Sequence, residues 1–124
     1  MKRSILWMAV FTLQCSIAVA EPVTSPVNAE VTQLLNKLEA SGCKFNRNGN
    51  WHSSSEAKSH LLKKLSYLER KTTLSSAEQF IELAATKSSL SGNPYLVKCG
   101  TTDAVQSSVW LTAELKGIRA NQHE

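Results

Sequence analysis

Aspartate is nearly missing from this chain. Asp103 is the only one among 124 residues, so a Ser-His-Asp triad would hang on a single loop residue. No Gly-x-Ser-x-Gly elbow and no Gly-Lys-Ser phosphate loop occurs, and nothing suggests a dinucleotide or haem site. Ser55-Glu56-Ala57-Lys58 satisfies Ser-x-x-Lys by its letters alone, without the companion signatures of the enzymes that use it. The three cysteines include no CxxC unit, which argues against a structural zinc site. Lysine and arginine are scattered rather than clustered, which excludes the basic footprint of a nucleic-acid binder. No apolar run beyond the N-terminal one could span a bilayer. The expectation is no cofactor and no metal.

What is present begins with an export signal. Met1-Lys2-Arg3 is basic, Ser4 to Val19 is mostly apolar, and Ala18-Val19-Ala20 is a small-x-small cleavage site before Glu21-Pro22. A membrane helix is the competing reading, but Thr12, Gln14 and Ser16 interrupt the run. A lipoprotein would use Cys15, yet Gln14 stands where a small residue is wanted. Residues 1–20 are therefore expected to be a cleaved signal peptide, and the periplasm the destination. Losing Lys2 and Arg3 lowers the formal charge from +4 to +2. Cleavage also discards Cys15 and leaves Cys43 and Cys99. An even pair in an oxidising compartment suggests a disulfide, with two buried free thiols as the alternative.

Residues 21–26 read as a flexible lead-in, 27–119 as one domain and 120–124 as a polar tail. Val27, Val31, Leu34, Leu35 and Leu38 form one stripe of a first helix that stops at Gly42. A hairpin is expected near 43–53, turning at Asn48-Gly49. Ser53 and Glu56 form a capping box before a second helix with Ala57, Leu61, Leu65 and Leu68 inward. Ser75-Ser76-Ala77-Glu78 repeats the signal before a third helix. Residues 86–94 read as a serine-rich loop, 95–99 as a strand and 100–106 as a loop. Ser107 or Ser108 would cap a last helix. The fold class is α+β: about four helices flanking a small antiparallel sheet, stapled by Cys43–Cys99.

Cys43-Lys44-Phe45-Asn46-Arg47-Asn48-Gly49, then Glu56-Ala57, His60-Leu61 and Lys64, then Ala77-Glu78-Gln79-Phe80-Ile81, then Ser88 to Tyr95, follow one another in an order and spacing that resemble the YfeK-like family of small exported bacterial proteins of unknown function. The resemblance runs from about Val31 to Leu115. It implies a periplasmic protein and no particular activity.

The candidate binding residues are Arg47, Asn48, Trp51, His60, Lys64 and Ser89. Arg47 and Asn48 on the hairpin could grip a carboxylate or phosphate, although Asn48-Gly49 is also what the turn alone demands. Glu56, His60, Lys64 and Tyr67 lie side by side on the second helix, beside its apolar stripe. A half-buried His60 could act as acid or base; the alternative is that long side chains only seal the helix face, their stems covering the core. His52, Glu56 and His60 fall at i, i+4, i+8, but Ser53 should leave His52 outside the helix. Ser89 stands in the serine-rich loop. The principal reading is a non-enzymatic binding or accessory module, contacting another periplasmic protein or a small anionic ligand through the hairpin Phe45 to Trp51 and the nearby rim of the second helix. The alternative is a small periplasmic hydrolase or transferase with His60 as base, Arg47 as anion clamp and a serine of residues 88–91 nearby. A third possibility is architectural: Arg47, His60 and Glu78 joined in an interior network.

Overall fold

The computed structural model describes residues 12–15 and 25–122. The expected cleavage site and most of the signal segment lie outside them. Helix α1 (Pro26–Ser41) starts where Ser25 Oγ accepts the Asn28 N–H at 3.1 Å, with proline in the first turn. It ends at Gly42, whose φ of 64° is left-handed. Val31, Leu34, Leu35 and Leu38 are fully buried, as their spacing requires. Strands β1 (Lys44–Arg47) and β2 (Asn50–His52) form the expected hairpin. Asn48 and Gly49 take φ of 55° and 82°, the two positive values of the tight turn that matches strand twist.

Helix α2 (Ser54–Lys71) is capped by Ser53 and buries Ala57, Leu61 and Leu65. Helix α3 (Ala77–Ala84) uses Ser76 and Gln79 as its capping pair, one residue later than Ser75 and Glu78. Gln79 Oε1 reaches back to the Ser75 N–H at 2.7 Å. Strand β3 (Leu96–Lys98) pairs with β1, and a two-residue strand β4 (Val105–Gln106) pairs with β3. The order is β2-β1-β3-β4, antiparallel throughout. Residues 105–106 were expected in a loop. Their partner is Leu96-Val97, so only the tertiary structure makes them a strand.

Helix α4 (Ser107–Asn121) runs two residues into the expected tail. It corrects the expected cap as well. Gln106 is the N-cap, with no side-chain bond. Ser107 is fully buried and donates instead to the Ala85 carbonyl at 2.8 Å, joining the start of α4 to the end of α3. Ser107→Ala should therefore cost about 1–2 kcal/mol, because the carbonyl stays buried and loses its partner. Urea unfolding measures it.

Helix α1 packs on α2, α3 and α4, while α2 and α4 cover β1 and β3. Phe45 and Val97 point inward to the core; Trp51 is exposed on the outer side. Cys43 and Cys99 are bonded, their Cα atoms 4.4 Å apart, which ties the entry of β1 to the exit of β3. Among the described residues, no helix is long and apolar enough to cross a membrane.

Candidate functional site

Side chains alternate along a strand, so Phe45 and Arg47 share the inner face of β1. Phe45 enters the core; Arg47, at the strand end, reaches α2. There Arg47 Nη1 lies 2.5 Å from His60 Nδ1. A guanidinium can only donate, so Nδ1 accepts and the neutral ring carries its proton on Nε2. Nε2 then donates to the Tyr95 hydroxyl at 3.3 Å, and Lys64 Nζ donates to the same oxygen at 3.1 Å. The β1–β3 register, continued by one pair, sets Tyr95 opposite Arg47. Lys64 also lies 5.0 Å from the Tyr95 ring centroid, within range of a cation–π contact.

This chain of polar groups forms one wall of a cleft of about 530 Å³, within the range of small-molecule sites. Asn48, Lys63, Ser88 and Ser89 line it beside Arg47, His60 and Lys64, and Tyr67, Leu68, Leu83 and Leu90 complete the lining. Among the described residues, no carboxylate lines it. Among the described residues, Arg47, Lys63 and Lys64 form no ion pair with an acid. A smaller cleft of about 290 Å³ adjoins across Arg47, His60 and Lys63. It holds Glu56, whose carboxyl is bonded to His52 and Ser53 and held below the ordinary range by those bonds.

The backbone between α3 and β3 folds tightly. Ser88 N–H donates to the Asn93 carbonyl and Tyr95 N–H to the Thr86 carbonyl. Ser88 Oγ accepts from the amides of Leu90 and Ser91 at 3.2 and 3.4 Å. Ser91 Oγ donates to Asn48 Oδ1 at 2.6 Å, fastening this loop to the hairpin turn.

Of the candidate residues, Arg47, Asn48, His60, Lys64 and Ser89 meet in one cleft. Trp51 does not. It pairs with Asn46 across the hairpin and so faces away from Arg47, where it borders a shallow depression with Lys44 and Lys98. Arg47 is half-buried rather than solvated at the turn. Glu78 takes no part in the Arg47–His60 network. It bonds Arg119, which also grips Glu30 through two hydrogen bonds of 2.8 and 3.1 Å. His52 and Glu56 meet at 3.2 Å, but both nitrogens of His60 are turned to Arg47 and Tyr95.

Burial, and then the nearby Arg47 and Lys64, press the His60 pKa down from 6.5 to about 4. The unfolded chain therefore binds this proton more readily than the folded one. Stability from this group is complete above about pH 6.5 and is lost as pH falls toward 4. With the ring half-exposed to screening water, the loss should be about 1–2 kcal/mol. Denaturant melts at pH 7 and pH 5 measure it, and His60→Asn should flatten the difference. The lowered carboxyls of Glu56 and Glu78 act in a separate window, below their ordinary 4.5.

The chain matches the model of DUF5329, described as a family of unknown function, over residues 25–119. It belongs to that family. A relative, the "Uncharacterized protein YfeK" of Salmonella typhimurium, is 36% identical over 88 residues, covering 70% of this chain and 72% of the relative. No solved structure matches. The resemblance to the YfeK-like proteins therefore holds. The family span contains every residue that lines the cleft.

Sequence reasoning missed Lys63, Leu68, Leu83, Leu90 and Tyr95 as cleft residues. Leu90 had a local signal: a leucine alone among serines has no core to serve. Tyr95 had none, because its partners lie 31 and 35 residues away.

Proposed function

We propose that this protein is a non-enzymatic, periplasmic binding module that holds an anionic group between Arg47, Lys63 and Lys64. The observation that carries this is a cleft that the described residues line with three cationic side chains and no acid. A half-buried guanidinium without a counter-charge is unfavourable, and a bound anion relieves it while gaining charge-assisted hydrogen bonds. His60 and Tyr95 orient the cations rather than react. The hydrolase reading has less support. No hydroxyl of residues 88–91 bonds His60 among the described residues, and a histidine at about 4 is a weak base at neutral pH. Export is supported by the three-part N-terminal pattern and by the disulfide.

Titration calorimetry with acetate, succinate and inorganic phosphate tests the site. Arg47→Gln should weaken whichever anion binds by at least about tenfold, the size of a lost charged hydrogen bond. Equal binding by wild type and Arg47→Gln would overturn the reading. Fractionation tests the location: the protein should leave the cell in osmotic-shock fluid.

A further inference from the structure

The cleft has two unlike kinds of lining: Arg47, Lys63 and Lys64 are cationic, and Tyr67, Leu68, Leu83 and Leu90 are apolar or aromatic. Seven large apolar side chains are exposed among the described residues, and three of them, Tyr67, Leu83 and Leu90, converge here. Leu90 is 96% exposed at the tip of a loop that is otherwise tied down by its own hydrogen bonds and by Asn48. Apolar groups concentrated in one concave place, rather than scattered singly, mark a binding surface. A small free anion would leave that apolar lining unused.

We propose that the cleft binds a single-chain carboxylate amphiphile, its head at Arg47 and Lys64 and its tail along Tyr67, Leu83 and Leu90. This rests on the anion-binding reading above and goes one step past it. Charge complementarity selects the head, since the cleft is cationic and, among the described residues, holds no carboxylate. The direction of α2 sets the tail. Tyr67 lies three residues beyond Lys64, about one turn along the helix axis, so a tail leaving the head runs toward the C-terminal end of α2. A peptide suits it less well, because its amides would need partners and the apolar lining offers leucine side chains; the unpaired sheet edges are on β2 and β4.

The test is calorimetry on the purified protein with acetate, hexanoate, octanoate and decanoate, kept below micellar concentrations. Decanol and decyltrimethylammonium are the charge controls. Complete burial of a methylene tightens binding about fourfold, so an open trough should give about twofold per methylene and more than tenfold from hexanoate to decanoate. The alcohol and the cation should bind at least tenfold more weakly than decanoate. Leu90→Asn, neutral and at a position 96% exposed, should weaken decanoate about fivefold and leave acetate unchanged. Arg47→Gln or Lys63→Glu should weaken every anion. Affinity independent of chain length, with Arg47→Gln still damaging, would overturn the amphiphile and leave the anion site standing. Decanol binding as tightly as decanoate, with no effect of Arg47→Gln, would overturn both. A short peptide with a free C-terminus that outcompetes decanoate would replace the proposed ligand class.

Discussion

Replacing Cys43 and Cys99 together by alanine is expected to lower stability by about 4 kcal/mol. The bond joins residues separated by 56 positions. Closing a loop of that length removes much of the freedom of the unfolded chain, which accounts for the figure in the chain-entropy treatment. Both positions accept alanine without overpacking, so native strain should add little. For a domain of about 100 residues the loss corresponds to a fall of roughly 15–30 °C in Tm. Urea melts of wild type, with and without a reductant, and of the double variant measure it. The reduced protein and the variant should coincide. Midpoints unchanged by reduction would show that the packing of α1, α2 and α4 holds the fold without the bond.

The second large effect is expected at Tyr95. Its ring is 2% exposed and lies 5.1 Å from that of Phe45, centroid to centroid. Its backbone carbonyl accepts the Ser107 amide at 2.8 Å. Tyr95→Ala opens a cavity under the sheet and should cost about 3–5 kcal/mol. Tyr95→Phe keeps the ring and removes only the oxygen that receives His60 and Lys64. It should cost about 1 kcal/mol and leave Lys64 free to swing. The two variants separate structure from function: alanine should broaden or abolish the melting transition, whereas phenylalanine should melt almost normally yet bind anions less tightly. A phenylalanine variant with unchanged anion affinity would show that the hydroxyl does not position Lys64.

Features written in local sequence were the legible ones. Four leucine and valine positions in α1 are buried at their helical spacing, Ser53 caps α2, and Asn48-Gly49 turns the hairpin. Each depends on neighbours within a turn of helix or two residues of strand. Features that depend on distant partners were not legible. Val105-Gln106 is a strand because Leu96-Val97 lies beside it. Ser107 looks like a cap and instead reaches Ala85, 22 residues away. The candidate site shows the same division. Arg47, His60 and Lys64 stood out by chemical type, but the tyrosine that joins two of them did not. Trp51 differs again: two-residue alternation within the hairpin sets its face opposite that of Arg47.

The Cys43–Cys99 bond has a topological consequence for the cleft. Every residue that lines the cleft, from Arg47 to Tyr95, falls between the two half-cystines. The cleft is thus contained within a covalent macrocycle, with α1 and α4 as the linear arms outside it. A protease that nicks the exposed tip near Leu90 cannot release a fragment; the cut chain stays a single molecule until the bond is reduced. Such a ring keeps both walls of the cleft together after a first cut.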